Sequence, residues 1–77
     1  MRNLRIIANE VRADWKKVNY GAKPYLDAMA KLDHLYDNYY YDRADMIVRY
    51  FLSNASSWRG DKAREIKAEL KEMLENK

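Results

Sequence analysis

The segment that decides the fold is DRADMIVRYFLSNA, residues 42–55, the most hydrophobic stretch of the chain. Its apolar residues recur every three or four positions, which is the spacing of one face of an α-helix. Asp42 stands directly before this face and is predicted to be the N-cap, because its carboxylate can accept from the first-turn N–H groups. The pattern predicts a helix at the centre of a bundle, with an apolar face formed by Ala44, Ile47, Val48, Phe51, Leu52 and Ala55.

Three further stretches carry the same helical spacing. The first is predicted to span about residues 3–17, with its stripe including Trp15 in the core. The turn Asn19-Tyr20-Gly21 then follows, with Gly21 free to take a left-handed conformation. The second begins at Pro24, which suits a first helical turn, and fades near residues 34–37. The last is capped by Asp61 and runs towards residue 76. We therefore expect an all-α fold, a compact bundle of about four short helices.

Length and composition restrict the class of protein. The chain has 77 residues and no cysteine, so we expect a single helical domain over residues 1–77 without disulfides or thiolate metal sites. No apolar run approaches the roughly 18–20 residues that span a bilayer, so no membrane partner is expected. A domain of this size is only marginally stable alone, and a homo-oligomer would add stability.

Groups for catalysis are scarce. His34 is the only histidine, so no histidine pair is available to bind a metal, and no local signature marks a nucleophile. Asp33 and Asp37 stand four residues apart and are followed by Asp42 and Asp45. These carboxylates suit either a hard cation or, as we prefer, a solvated acidic face with helix capping. We expect no enzyme activity, no catalytic residue, no metal and no cofactor.

Tyrosine is in surplus, with seven in the chain and three of them consecutive at residues 39–41. Consecutive side chains cannot all face one small core, so they either cap the end of the bundle or form a contact surface for a partner. Trp58 and Arg59 lie in a turn, where the indole either closes over the core or anchors a partner. The predicted contact set for a protein partner is Tyr39, Tyr40, Tyr41, Trp58 and Arg59.

Charge is distributed unevenly. The net charge is +3, with two basic ends and an acidic middle. Each end carries a basic flank beside its helical stripe. If the first and last helices pack together, the two flanks could line one groove and meet DNA or RNA. The alternative is two ordinary solvated helix faces. The candidate nucleic-acid residues are Arg5, Arg12, Lys16, Arg64, Lys67 and Lys71.

Four strings carry a resemblance to a known group. They are YFLSNASSWRG at residues 50–60, AREIKAEL at 63–70, NLRIIANE at 3–10 and YGAKPYLDAM at 20–29. Together they resemble small helical proteins encoded by bacteriophages and prophages, a group with no assigned activity. The resemblance transfers no site residues. It implies a phage-derived protein that acts in the cytoplasm of a bacterial host.

Two functions follow as expectations. The first is a phage accessory protein that binds and modulates a host protein, with inhibition of a defence system such as CRISPR as its sharpest form. The second is a small DNA- or RNA-binding regulator that uses the basic flanks. Small size, surplus tyrosine and the shortage of catalytic groups favour the first.

Overall fold

The computed structural model describes residues 3–35, 37–39 and 42–75, with the backbone alone at Tyr39. Within these ranges the elements are helices α1 (Leu4–Asp14) and α2 (Lys23–Met29), strands β1 (Asn38–Tyr39) and β2 (Asp42–Arg43), and helices α3 (Ala44–Ser53) and α4 (Asp61–Glu75). The two strands pair antiparallel and form a short hairpin before α3. The predicted all-α bundle is confirmed, and the hairpin is an addition to it.

Helix α1 is shorter than its hydrophobic stripe. It begins after Asn3, whose side-chain oxygen accepts from the backbone N–H of Ile6 at 3.0 Å and so caps the first turn. It ends at Asp14, with Trp15 as C-cap, instead of continuing to residue 17. Trp15 remains 7% exposed and belongs to the core, as predicted.

Helix α2 begins as predicted, with Pro24 in its first turn, but it ends at Met29 instead of near residues 34–37. The early end has a local cause. One carboxylate oxygen of Asp37 accepts from the backbone N–H groups of Asp33 and His34, both at 3.0 Å. A side chain that satisfies these amides competes with the helical ladder and holds a turn there instead.

The predicted N-caps of the last two helices are wrong. Asp42 lies in β2, and Arg43 occupies the N-cap position of α3 without a side-chain hydrogen bond to the helix. Asp61 is the first residue of α4, after Gly60. Gly60 has a φ of +114°, so the left-handed region is used there and not at Gly21.

The helices are arranged so that α1 and α3 each pack against both α2 and α4. An aromatic cluster closes one end of this core. Trp15 and Trp58 stack with ring centroids 5.7 Å apart, and Phe51 meets both rings edge-on at 6.3 and 6.4 Å. The cluster joins the end of α1, the buried face of α3 and the turn before α4.

Candidate binding surface

Most of the predicted tyrosine contact set lies outside the described residues. Tyr40 and Tyr41 belong to that part of the chain, and Tyr39 is described only as backbone in β1. The contact role proposed for these three tyrosines stays a prediction.

Trp58 is not available as a partner contact, because its indole is 2% exposed. Its Nε1–H donates to a carboxylate oxygen of Asp14 at 2.8 Å. The hydrogen bond and the stacking on Trp15 fix the ring as a lid on the core, which is the first of the two alternatives for this residue. Of the turn pair, only Arg59 is exposed.

The expected single groove between two basic flanks does not form, although α1 and α4 do pack together. The acidic flank of α1 faces α4, since Glu10 lies 3.5 Å from the ammonium of Lys62. The basic flank faces the opposite way. Arg12 forms an ion pair with Asp27 of α2, and Arg5 lies 3.8 Å from Asp33.

The basic flank of α4 is equally separate from α1. Arg64 pairs with Asp61 on its own helix. The ammonium of Lys67 donates to the backbone oxygen of Trp58 at 2.7 Å and lies 5.8 Å from the centre of its ring. Cations that were expected to share one groove therefore lie on two surfaces with different partners, one beside α2 and one at the start of α4.

Of these two surfaces, the α1–α2 groove is the one that adjoins an exposed aromatic side chain, that of Tyr20. It has a volume of about 260 Å³. The basic residues on its walls outnumber the single carboxylate, which is already engaged by Arg12. Its net charge of +3 equals that of the whole chain. The groove is lined by Arg12, Lys16, Lys17, Val18, Lys23, Leu26 and Asp27.

Tyr20 stands at the end of this groove with 96% of its surface exposed. A second depression of about 310 Å³ is formed by Tyr20, Lys23, Pro24 and Asp27. Lys23 and Asp27 line both spaces, so the ring and the cations belong to one continuous surface. An isolated exposed aromatic residue is common, but this one adjoins a net positive groove, and the two together form the candidate binding surface.

The loop that carries Tyr20 is held firmly although the ring itself is in water. The side-chain amide of Asn19 donates to the backbone oxygen of Asn54 at 2.8 Å and to the hydroxyl of Ser57 at 3.2 Å. Its oxygen accepts from the N–H of Ala22 at 2.8 Å. A Cβ at Gly21 would lie 2.8 Å from the side-chain oxygen of Asn54, so a larger residue there would require the Asn54 side chain to shift. The backbone that carries the ring is thus held in place by the rest of the fold.

In the acidic middle of the chain, the carboxylate of Asp37 is engaged in hydrogen bonds to the backbone. Asp37 accepts the two backbone N–H bonds already described, and they lower the pKa of its carboxyl, the bond from His34 most strongly. His34 is exposed. Among residues 3–35, 37–39 and 42–75 there is no group of three His, Asp or Glu side chains that could hold a metal ion.

Comparisons with known proteins assign no role to this surface, so its interpretation rests on the residues that form it. No protein-family model matches the sequence, and neither a curated protein nor a solved structure matches it significantly. Within the described part of the chain, no helix has the length and apolar character needed to cross a bilayer.

Sequence reasoning missed Tyr20, which it treated only as part of a turn. The available signal was a tyrosine between Asn19 and Gly21, with lysines on both sides of the turn. A ring in a short polar turn has little core to enter, and flanking cations mark an exposed segment.

Proposed function

We propose that this chain is a binding domain that attaches to a protein of a bacterial host cell through Tyr20 and the α1–α2 groove. The observation that carries the proposal is the fully exposed ring of Tyr20 on a loop fixed by Asn19. A tyrosine gives a large contact area at a small entropic cost, and a loop that is already ordered loses little further entropy on binding.

The charge of the groove defines the partner surface. Lys16, Lys17 and Lys23 favour a carboxylate-rich patch, which they would attract over a distance of several ångströms. Tyr20 would fill an apolar depression beside that patch. Affinity then depends mainly on the ring, and the rate of association depends mainly on the lysines.

The most specific version of the proposal places the chain in a phage-infected bacterial cell. The resemblance to phage and prophage proteins supports a role in the host cytoplasm, where the partner would belong to a defence system such as CRISPR. Expression of the chain in a bacterium with an active CRISPR system should then raise the plating efficiency of a targeted phage. Equal plating with and without the chain would contradict this form, while leaving the binding role to be tested separately.

The direct test of the binding role is an affinity capture from bacterial lysate, quantified by mass spectrometry. The wild-type chain should enrich a defined protein, and Tyr20→Ala should lose it, because hot-spot tyrosines typically contribute about 2 kcal/mol or more. Tyr50→Ala is the matched control, since Tyr50 is also exposed but lies on α3, where it packs on Tyr25. Equal enrichment by all three chains would contradict the proposal.

The same surface supports a second candidate, single-stranded nucleic acid. Four cations could follow a phosphate backbone while Tyr20 stacks on a base. Four phosphate contacts to a single strand predict roughly a 50-fold loss of affinity between 50 and 200 mM salt. A gel-shift titration at both concentrations discriminates between the candidates, because no shift at the lower salt concentration removes the nucleic-acid role.

A further inference from the structure

The amine of Lys67 has a defined place in the fold. Its Nζ donates to the backbone oxygen of Trp58 at 2.7 Å. The residue that supplies this oxygen is itself fixed, because its N–H donates to the backbone oxygen of Ala55 at 3.1 Å and its indole stacks on Trp15. A lysine side chain is a flexible stem of four carbons, so without such a bond its amine would move through many positions.

The charged neighbours of Lys67 are cations. Lys71 lies one helical turn further along the same flank of α4, and Arg59 directly follows the residue whose oxygen holds the amine. Among the described residues, no carboxylate forms an ion pair with Arg59, Lys67 or Lys71. Partial burial and then the charges of Lys71 and Arg59 lower the pKa of the Lys67 ammonium. A larger share of this amine is therefore neutral, at a given pH, than of an ordinary lysine.

A surface pocket of about 310 Å³ at the start of α4 gives access to the amine. Arg59 lines this pocket and is exposed, and the side chain of Lys67 lies half-buried in its wall. The indole of Trp58 is 2% exposed and the charge of Arg64 is paired with Asp61, so neither of these lining groups is available to a ligand. A small anion that enters the pocket meets the charge of Arg59 beside the amine of Lys67.

We propose that Lys67 is a modification site that small acyl phosphates acylate without the help of an enzyme. Arg59 and Lys71 attract the phosphate group, and the amine of Lys67 attacks the acyl carbon. A lysine that is partly desolvated and flanked by cations is activated as a nucleophile. The pocket shares no residue with the α1–α2 groove or with the depression at Tyr20, so this proposal and the proposed function can fail separately.

The reaction transfers an acyl group and changes no oxidation state. The ammonium of Lys67 first loses a proton to water, and the neutral nitrogen keeps one N–H on the oxygen of Trp58. Its lone pair forms a bond to the carbonyl carbon of the acyl phosphate. The bond from that carbon to the phosphate oxygen breaks, inorganic phosphate leaves with the electron pair, and the nitrogen releases a second proton to water. The amide product retains one N–H for the bond to Trp58.

Acetyl phosphate tests the site, with Lys62 as the matched control on the same helix, because Lys62 lies beside the carboxylate of Glu10. Tryptic cleavage after Arg64 places the two lysines on separate peptides, and mass spectrometry follows the acetylation of each over time. Lys67 should react about tenfold faster than Lys62 in the folded chain, the lower end of the rate gain from clustered charge of one sign. In urea the two rates should become equal. Equal rates in the folded chain, or the same preference in urea, would overturn the proposal.

Variants of Arg59 separate attraction of the phosphate from placement of the amine. Arg59→Ala should slow the acetylation of Lys67 by acetyl phosphate about threefold, the effect of one exposed charge, and Arg59→Lys should restore the rate. With p-nitrophenyl acetate, an uncharged acetyl donor, Arg59→Ala should change the rate much less. Arg59 is exposed, so its replacement leaves the fold intact. Equal slowing with both donors, or no slowing with acetyl phosphate, would also overturn the proposal.

Discussion

At the scale of single residues, the hydrogen bond between Trp58 and Asp14 links the turn before α4 to the end of α1. The indole N–H is held in a region where the ring is 2% exposed, so without the carboxylate this donor would lose its partner. A buried donor without an acceptor costs about 1–3 kcal/mol. The placement of Trp58 therefore depends on a residue that is 44 positions away in the sequence.

A double-mutant cycle tests this bond. Asp14→Ala should lower the free energy of unfolding by about 1–3 kcal/mol in the wild-type chain, because it leaves the buried indole N–H without an acceptor. In a Trp58→Phe background, where no N–H remains, the same change should cost well under 1 kcal/mol. Urea denaturation of the four chains measures the difference. Equal costs in both backgrounds would show that the bond contributes nothing to stability.

Asp37 makes the stability of the chain dependent on acid pH. Two backbone N–H bonds lower the pKa of its carboxyl from the usual 3.8, with the bond from His34 the larger cause. The charged form is favoured in the folded state, so its contribution is present above pH 3.8 and is lost as the pH falls through the lowered value. This contribution belongs to the turn that ends α2 early.

The expected result for Asp37→Asn is a flatter stability profile below pH 3.8 than that of the wild type. Asparagine can still accept a hydrogen bond but does not titrate there. The unfolding free energy is measured by urea denaturation from pH 2 to 6 (a range chosen around the carboxyl pKa), with Asp42→Asn as control on an exposed aspartate of β2. An unchanged slope in Asp37→Asn would rule out this role.

At the scale of elements, the sequence predicts the parts of the fold that local chemistry controls. Helices α1 and α2 begin within one residue of the predicted positions, with Pro24 in the first turn of α2 as expected, whereas the N-caps predicted at Asp42 and Asp61 are wrong. The early end of α2 was not predicted, because it depends on the Asp37 carboxylate and on pairing of the Leu35 backbone oxygen with the N–H of Asp45. These are contacts of the folded chain and leave no periodic signal.

The N-cap of α1 gives a test at this scale. Asn3→Ala should lower the free energy of unfolding by about 1 kcal/mol, since it removes the bond to the N–H of Ile6. Asn3→Asp keeps an acceptor oxygen at the same place and should lose much less. Thermal unfolding followed by circular dichroism measures both. A loss from Asn3→Asp as large as that from Asn3→Ala would contradict the capping role.

At the scale of the whole molecule, the packing of α1 determines where the candidate binding surface lies. Its acidic flank is used against Lys62 of α4, and its basic flank is left beside α2. The two basic flanks were visible in the sequence, but their separation was not, because it depends on which side of α1 meets each neighbour. The exposure of Tyr20 had a local signal in its polar turn, but the fixing of its loop did not, since it rests on contacts between Asn19 and the distant residues Asn54 and Ser57.

In this arrangement, the stability of the fold depends little on the charged residues of the α1–α2 groove. Arg12 and Asp27 are both close to half exposed, so their ion pair contributes at most about 1 kcal/mol to stability. Lys16, Lys17 and Lys23 are exposed. The groove can therefore be altered without unfolding the chain, and loss of binding in such variants reports on the surface itself.

The most direct test of this surface is a photo-crosslinking amino acid placed at position 20 in a chain expressed in bacteria. The same amino acid at Glu72, exposed on α4, is the control. Position 20 should yield a discrete adduct with one host protein, and position 72 should yield none. Absence of a protein adduct at position 20, or the same adduct from both positions, would contradict the proposed role of Tyr20 and the α1–α2 groove.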